Sequence, residues 1–353
     1  MLVFRHVLAI ETSCDDTSVA IVRNDGTVIS VVSANQDLAH QPFGGIVPEI
    51  ASRNHTLQLL PLVEVALSKA EMSWPQLDGL AVTSRPGLVG ALMVGVVTAK
   101  TLALAYNKPF IGINHLEGHL VAPLLRDAQY HPPEGFTYPY VGLAISGGHT
   151  SLYYIEDFGR YRVLGQTVDD AAGEAFDKFA KIVGLGYPGG VQVDRWGQKG
   201  DPKKFSFPRA MLHEETFAMS FSGLKTAGQR QVELMDPAAV KEQMADLCAS
   251  YQEAIVDVLV QRLARAVAAT GIKRAILTGG VAANSRLRLQ AQRWAQENTV
   301  ELVVPPLRYC TDNAAMIGYA GILRLNRGER SGHDLGPLPK ALPEDFLSVG
   351  ELP

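Results

Sequence analysis

Two histidines four residues apart are the clearest candidates for chemistry in this sequence. They are His115 and His119, in the run His-Leu-Glu-Gly-His. On a helix, residues at positions i and i+4 lie on one face, so both imidazoles can bind a single metal ion. Two surface histidines of a helix would have the same spacing, and the sequence alone leaves both interpretations open.

Glu117 separates this run from the zincin protease motif. In that motif a glutamate directly follows the first histidine and reaches the metal-bound water. Here the glutamate comes one position later, so it points to a different part of the helix surface. The spacing therefore disfavours a zincin-type peptidase.

A carboxylate ligand would complete a metal site built on the two histidines. Asp312 is a candidate because it directly precedes a strongly helical pattern. The same position also suits a helix N-cap, in which the aspartate accepts hydrogen bonds from the first backbone amides. His149, in a Gly-Gly turn, is another conceivable ligand.

Three glycine-rich turns follow β-rich segments, at residues 146–150, 187–190 and 278–284. Glycine allows the backbone to approach a phosphate closely, and successive N–H groups then bind the anion. None of the three is a Walker A or a dinucleotide-binding motif, and a single Gly-Gly is typical of a tight turn. Three in one chain favour a bound nucleotide.

Three acidic residues near these turns have two interpretations each. Asp15 and Asp16 lie in the first predicted hairpin turn, where local Asx turns are common. Asp177 lies in a predicted helix, where it either accepts ribose hydroxyls or is an exposed charge. The residues alone do not decide between these roles.

The elements that must position these residues occur twice. Residues 7–32 and 140–169 each read as strand, polar turn, strand, turn and strand, followed by helical sequence and a further short β-rich segment. This repeat predicts a duplicated α/β fold with a cleft between its halves. Two unrelated antiparallel sheets are the alternative. A Pro-rich stretch after residue 130 suggests lobes at 1–130 and 131–328, followed by an extended Gly/Pro-rich tail at 329–353.

Composition narrows the class of protein. The chain has 353 residues, 47% of them hydrophobic and 19% charged, which is typical of a globular protein. No apolar run reaches the roughly 18 residues of a membrane span, and the N-terminus lacks the apolar core of a signal peptide. Three scattered cysteines do not form a disulfide framework. These features predict a cytoplasmic protein without a membrane segment.

The net charge of −4 gives no general attraction to nucleic acid. Residues 262–293, however, contain seven Lys and Arg and no acid. Such a local excess either binds phosphates or forms ordinary solvated helix faces.

Ten ordered stretches together resemble one family over about 320 residues. They read AIETSCDDTSVAIV, GGIVPEIASRNH, RPGLVGALMVG, NHLEGHLVAPLL, SGGHTSL, DDAAGEAFDK, GYPGG, SFSGLKTA, GGVAANSRLR and CTDNAAMIG. On these motifs the chain resembles the TsaD family of tRNA N6-adenosine threonylcarbamoyltransferases, once labelled O-sialoglycoprotein endopeptidases. The resemblance implies the actin/hexokinase/Hsp70 ATPase-like fold, with two lobes and a central cleft.

The resemblance also implies roles for individual residues. One divalent metal ion per subunit, Fe²⁺ ahead of Zn²⁺, would be held by His115, His119 and Asp312, and Asp15 would be catalytic. The residues implied to bind the substrate threonylcarbamoyl-AMP are Ala144, Ile145, Ser146, Gly147, Gly148, Asp177, Gly190, Asp194 and Asn284.

The implied reaction transfers the threonylcarbamoyl group to N6 of adenosine 37 in tRNAs that read ANN codons, with release of AMP. The implied partners are the tRNA anticodon loop, a TsaB-like paralogue and a TsaE-like ATPase. Arg85 departs from the family pattern, which has glycine there, and Val191-Gln192-Val193 departs from its Pro-x-Leu. A metallopeptidase, a kinase or ATPase of the same fold, and a non-catalytic scaffold are the rival functions.

Overall fold

The computed structural model describes residues 3–349 and residue 352 of the chain. The strands among these residues are β1 (His6–Glu11), β2 (Thr17–Arg23), β3 (Val28–Ala34), β4 (Gly79–Arg85), β5 (Phe110–Asn114), β6 (Tyr140–Ile145), β7 (Thr150–Asp157), β8 (Arg160–Gln166), β9 (Arg274–Thr278), β10 (Glu301–Val303) and β11 (Ser348–Val349).

The α-helices within the same residues are α1 (Asp37–His40), α2 (Pro48–Lys69), α3 (Val89–Ala105), α4 (His115–Val121), α5 (Ala172–Ile182), α6 (Gly189–Gly197), α7 (Ser222–Glu233), α8 (Pro237–Glu242), α9 (Met244–Thr270), α10 (Ser285–Glu297), α11 (Leu307–Cys310) and α12 (Ala314–Asn326). Short 3-10 turns lie at Gln41–Phe43, Trp74–Gln76, Ala122–Leu124, Gly280–Ala283 and Pro343–Asp345.

The first sheet has the strand order β3-β2-β1-β4-β5. β1, β2 and β3 pair antiparallel through tight turns, and β4 and β5 then add parallel to β1 on its other side. The hairpin predicted from Asn24-Asp25-Gly26 joins β2 to β3, and Gly26 adopts the positive φ of 84° that such a turn requires.

The second sheet repeats this plan and adds one strand. Its order is β10-β9-β6-β7-β8-β11, and β6 to β10 have the same neighbours and directions as β1 to β5. β11 pairs parallel with β8 at the edge. The duplication predicted from the sequence is therefore confirmed.

Helices cover both faces of the first sheet. Alternate residues of a strand point to opposite faces. A Cβ added to Gly318 of α12 would lie 3.1 Å from Ala9, whereas one added to Gly95 of α3 would lie 3.4 Å from Ile10. α12 and α3 therefore pack against opposite faces of β1. This double coverage explains why β1 is an almost continuous apolar run.

The described residues form two compact units. The first comprises the residues up to Glu134 together with Thr311–Asp345, and the second comprises Gly135–Cys310 and the residues from Phe346 onward. The division predicted from the sequence kept residues 131–328 together. The structure differs because α12, although late in the chain, packs against β1, β2 and β4 of the first sheet.

The segment after α12 is attached to the first unit. Ser331 donates its N–H to the Phe110 carbonyl at 3.0 Å, and Leu338 donates to the Ser84 carbonyl at 2.9 Å. Residues 329–345, here called the strap, are therefore hydrogen-bonded to β4 and β5. None of the described helices combines the length and apolarity that a bilayer crossing requires.

A substitution at Gly318 tests the packing of α12. The added methyl of Gly318→Ala would lie 2.8 Å from Val22 Cγ2, so we expect the free energy of unfolding to fall by about 1–3 kcal/mol. Gly223→Ala is the control, because no described atom lies within 4 Å of its new methyl in α7. That variant should be neutral or stabilised by up to about 1 kcal/mol in urea denaturation. Equal effects at both sites would contradict the close packing of α12.

Candidate metal centre

The two predicted histidines lie on a short buried helix. The Asn114 side chain accepts a hydrogen bond from the Leu116 amide at 2.8 Å and so caps the start of α4. His115 and His119 are 6% and 1% exposed, with ring centroids 4.7 Å apart. They are not the surface histidines that the sequence left possible. α4 places both imidazoles inside the first unit.

Asp312 meets both imidazoles. One carboxylate oxygen, Oδ1, lies 3.3 Å from His115 Nε2 and 3.2 Å from His119 Nε2. The alternative role as helix cap goes to the next residue, Asn313, whose side chain accepts from the Met316 amide at 3.0 Å. The sequence could not separate these neighbouring residues, but the structure gives Asp312 to the histidines.

A glycine between the histidines brings Asp312 within reach. A Cβ added to Gly118 would lie 2.8 Å from Ile317 and 3.0 Å from Met316, both on α12. Only glycine therefore lets α4 approach the first turn of α12 this closely. Within the described residues, His115, His119 and Asp312 form the one group whose ligand atoms, all within 4.8 Å of one another, could hold a metal ion.

Two residues that sequence reasoning did not select hold His115 from behind. Its Nδ1 lies 3.0 Å from Glu11 Oε2 and 3.2 Å from Ser13 Oγ. A carboxylate that accepts the Nδ1 proton leaves Nε2 free to bind a metal, which is the usual outer shell of a metal-bound histidine. The available signal was a glutamate at the end of an otherwise apolar strand, because such a residue needs a buried partner.

The charges of these side chains depend on one another. Burial alone would lower the pKa of His115, but Asp312 and Glu11 on either side raise it well above its usual value. Burial opposes ionisation of Asp312, yet the two histidines hold its pKa well below the usual range. Burial lowers the pKa of His119, whose Nδ1 has no hydrogen-bond partner among the described residues. The group thus stabilises one positive charge beside two carboxylates, and a divalent cation fits that requirement.

Glu117 is directed away from the metal ligands. Its carboxylate accepts two hydrogen bonds from Arg324 of α12, at 2.6 and 2.8 Å, and its side chain is only 2% exposed. This bidentate ion pair fixes α4 against α12. The expectation that this glutamate does not serve a zincin site agrees with this geometry.

Asp15 and Asp16 lie in the turn between β1 and β2, in the same unit as the metal ligands. Burial, partly offset by a hydrogen bond from Cys14, raises the pKa of Asp15. Burial and the nearby charges of Asp15 and Asp312 raise the pKa of Asp16 to about 7. His55 of α2 supports the turn, since its Nε2 lies 2.9 Å from the Cys14 carbonyl. The carboxylates are therefore held in position rather than freely solvated.

The predicted nucleotide residues lie in the second unit, beginning with the turn after β6. Ala144 and Ile145 end that strand, and Ser146, Gly147 and Gly148 form the turn. The Ser146 amide donates to the His149 carbonyl at 2.7 Å, which closes the turn. A side chain at Gly173, on α5, would lie 2.6 Å from the Ser146 carbonyl. The start of α5 therefore packs directly against the Gly-Gly turn.

Asp177 and Gly190 are joined by hydrogen bonds. Asp177 Oδ1 accepts from the amides of Gly189 and Gly190 at 2.9 and 3.2 Å. The carboxylate thus shapes the second glycine turn, at the start of α6. It is not the isolated helical charge that the sequence left possible.

Asp194 and Asn284 meet the start of α10. Asp194 Oδ1 accepts from the Ser285 hydroxyl at 2.7 Å, and the Asn284 side chain caps the helix by accepting from the Leu287 amide at 2.9 Å. Asn284 Nδ2 also donates to Gln252 at 2.7 Å. The structure shows how these side chains support the third glycine turn, and their contacts to a nucleotide stay a prediction.

The basic stretch at residues 262–293 is largely engaged within the protein. Arg262 is fully buried and donates to the Ala218 carbonyl at 2.8 Å, so it cannot contact a phosphate. Arg286 pairs with Glu253, and Arg288 donates to backbone carbonyls. The local excess of positive charge in the sequence overstated the charge available to a ligand, because most of these partners lie well outside the basic stretch or are backbone carbonyls.

Comparisons with known proteins identify the family to which the chain is similar. A family model described as "TsaD: tRNA N6-adenosine threonylcarbamoyltransferase" matches residues 27–319. A Bdellovibrio bacteriovorus protein named tRNA N6-adenosine threonylcarbamoyltransferase is 64% identical over 97% of this chain and 99% of its own length. A protein of the same name from Anaeromyxobacter dehalogenans is 53% identical over 95% of this chain and 98% of its own.

Two solved structures share the fold. HypF of T. kodakarensis matches with a TM-score of 0.62 at 14% identity, over 94% of this chain and 49% of that one. Component A of the Acidaminococcus fermentans (R)-2-hydroxyglutaryl-CoA dehydratase matches with a TM-score of 0.51 at 13% identity, over 92% and 99%. These likenesses show the fold alone. With the repeated sheets, they confirm the predicted actin/hexokinase/Hsp70 ATPase-like class.

The pair between Glu117 and Arg324 yields a stability prediction. Arg324→Met leaves a buried carboxylate without its ion pair, so we expect the free energy of unfolding to fall by about 3 kcal/mol or more. Adding Glu117→Gln to that variant should recover a large part of the loss, because the uncompensated charge is removed. Arg293→Met breaks an exposed pair with Glu297 and should change stability by less than about 0.5 kcal/mol in the same urea titration. A similar small effect of Arg324→Met would contradict this assignment.

Proposed function

This chain belongs to the TsaD family of tRNA N6-adenosine threonylcarbamoyltransferases, and we propose that a metal ion held by His115, His119 and Asp312 supports its reaction. The enzyme is a transferase that forms threonylcarbamoyladenosine in tRNA. The proposed donor is threonylcarbamoyl-AMP, the proposed acceptor is N6 of adenosine 37 in tRNAs that read ANN codons, and AMP is released. The convergence of two buried imidazoles and the partly exposed Asp312 carboxylate in a member of this family carries the proposal.

The donor set supports a divalent transition metal. Two imidazole nitrogens and a carboxylate oxygen suit Fe²⁺ and Zn²⁺ alike, and we favour Fe²⁺. When bound, the metal would act as a Lewis acid and a template for the threonylcarbamoyl group. Glu11 would keep His115 in the tautomer that presents Nε2, and Asp312 would supply the negative charge that the cation needs.

The chemistry requires an activated acyl group because the adenine amine is a weak nucleophile. In the transfer, N6 bonds to the carbamoyl carbon, the bond from that carbon to the phosphate oxygen breaks, and N6 loses one proton. Asp15 is our candidate to accept or relay this proton. Its raised pKa brings the carboxylate closer to the basicity that such a role needs.

The second unit would bind the adenylate part of the donor. The proposed contacts are Ala144, Ile145, Ser146, Gly147, Gly148, Asp177, Gly190, Asp194 and Asn284. Support comes from Gly147 and Gly148, where an added Cβ would meet no described atom within 4 Å, so the backbone there is open to a ligand. Asp177 and Asp194 would contribute chiefly by holding two of the glycine turns in shape.

The acceptor base must leave the stack of the anticodon loop to react. Unstacking a base costs a few kcal/mol, and enzymes that act on a base bind the extruded base through hydrogen bonds to its edge and by stacking. Because the acceptor is tRNA, the proposed location of the enzyme is the cytoplasm.

A transfer assay with defined components tests the metal proposal. Purified protein, Fe²⁺ or Zn²⁺, synthetic threonylcarbamoyl-AMP, unmodified tRNA and the partner proteins are mixed, and modified adenosine is measured. We expect the His115→Ala/His119→Ala variant to lose its metal. Its transfer rate should fall by more than the roughly 10–100-fold that substitution of a residue hydrogen-bonded to a metal ligand costs. His213→Ala, at an exposed histidine of the second unit, is the control. Parental turnover in the double variant would refute the metal role.

Asp15→Asn supplies the matched contrast in the same assay. It should retain the metal, measured by elemental analysis, and yet lose about 10²–10⁴-fold in rate, the range of general acid–base catalysis. Loss of metal together with activity would instead assign Asp15 to the metal site.

A TsaB-like paralogue and a TsaE-like ATPase are the proposed protein partners. Support for the paralogue comes from exposed apolar side chains on α2 and α3, two adjacent helices of the first unit. They are Leu57, Leu60, Val65, Met93, Val97 and Leu104, here called the α2–α3 face. Clusters of exposed apolar side chains on neighbouring helices are typical of protein interfaces.

Charge placed on the α2–α3 face tests that partner. Met93→Asp and Val97→Asp should each weaken binding of the paralogue more than about 30-fold by calorimetry, since an interface anchor contributes about 2 kcal/mol or more. Leu234→Asp, at an exposed position in the second unit, should leave the affinity unchanged. Unchanged binding in all three variants would exclude this face as the interface.

A further inference from the structure

The strap makes contacts that the proposed transfer does not use. The strap makes side-chain contacts as well as its backbone bonds to β4 and β5. The Ser331 hydroxyl accepts from the Gly112 amide at 3.0 Å, and the Leu335 carbonyl accepts from Lys100 Nζ at 3.0 Å. The last residue of the strap, Asp345, is the most densely bonded.

Asp345 is held by a partly buried ion pair with Arg85, at the end of β4. Arg85 Nε lies 3.0 Å from Asp345 Oδ2 and 3.2 Å from Oδ1, and Arg85 Nη2 also donates to Oδ1. The side chains are 19% and 6% exposed. Arg85 is one of the positions at which the sequence departs from the pattern of the family it resembles, and a glycine there could not form this pair. The guanidinium is therefore bound to the strap through Asp345.

The same carboxylate reaches the helix that carries the metal ligands. Asp345 Oδ2 accepts from Asn114 Nδ2 at 2.9 Å. Asn114 then uses its other side-chain atom, Oδ1, to cap α4 through the Leu116 amide. An amide side chain held at both ends cannot rotate, so the orientation of the cap depends on Asp345.

This dependence matters because α4 has only seven residues. Isolated helices of that length are not stable in water, so its geometry is set by contacts outside the helix. His115 is the first residue of the helix and directly follows Asn114. A change in the position of the Asn114 side chain therefore changes the position of His115 directly, because no helical turn separates the two residues.

We propose that Asp345 is a positioning residue for the metal centre, acting through Asn114 on the start of α4, while Arg85 holds Asp345 in place. The inference rests on the proposed metal site at His115, His119 and Asp312. Asp345 touches neither a ligand nor a substrate in this scheme. Its function is to fix the direction from which the His115 imidazole enters the site.

Metal affinity and hydrogen exchange of the full-length protein test this proposal. In Asp345→Asn and Asn114→Ser, we expect Zn²⁺ affinity to fall about tenfold, at the low end of the range for outer-shell changes. Asn114→Ser keeps a capping oxygen but removes the donor to Asp345. Exchange of the α4 amides, measured without metal, should accelerate in both variants. Asp25→Asn breaks a bidentate pair with Arg23 elsewhere in the first unit and should change neither quantity.

The exchanged pair Arg85→Asp/Asp345→Arg separates the two contacts. It can restore an ion pair to the strap but offers no acceptor to Asn114, so we expect strap amides to regain protection while Zn²⁺ affinity stays low. Parental affinity in this variant, or in both Asp345→Asn and Asn114→Ser, would overturn the inference while leaving the metal site intact. Absence of Zn²⁺ binding by the parent protein would instead refute the metal site itself, and the positioning role with it.

Discussion

The placement of one buried imidazole between two carboxylates is the constraint on which the first unit depends. His115 faces Glu11 of β1 on one side and Asp312, just before α12, on the other. Burying this many charges is unfavourable unless each has a partner in good geometry. The surrounding structure supplies that geometry through the ion pair between Glu117 and Arg324 and the close approach at Gly118. The charged group and the packing of α4 on α12 therefore require each other.

The two units share one sheet topology but carry different functional residues at the ends of their strands. In the first unit, the segment after its fifth strand forms the short helix α4, which carries two histidines. In the second, the chain instead presents glycine turns supported by Asp177 and Asp194. The strands act as equivalent supports, and the residues at their carboxyl ends determine what each unit can bind. A shared fold thus says little about chemistry until those ends are inspected.

Much of the fold could be predicted because its signals are local. Apolar runs bounded by Asn-Asp-Gly or Gly-Gly turns fixed the strands, and their repetition fixed the duplication. The spacing of His115 and His119 likewise indicated a shared ligand face. Glu11, Ser13 and Arg324 were missed because their roles arise from contacts across about a hundred residues or more. Asp312 and Asn313 illustrate the same limit, since only the tertiary structure decides which neighbour caps the helix.

The route of the chain through the first unit also bears on how the protein is made. Five strands of its sheet are complete by Asn114, yet the helix that covers the Ala9 face, α12, ends only at Asn326. During synthesis, the part of the second unit between Gly135 and Cys310 is thus translated while one apolar face of the first sheet is not yet covered by α12. Exposed apolar sheet of this kind is prone to aggregate or to engage chaperones. The first sheet, although synthesised early, therefore acquires its native α12 cover only after most of the chain has been translated.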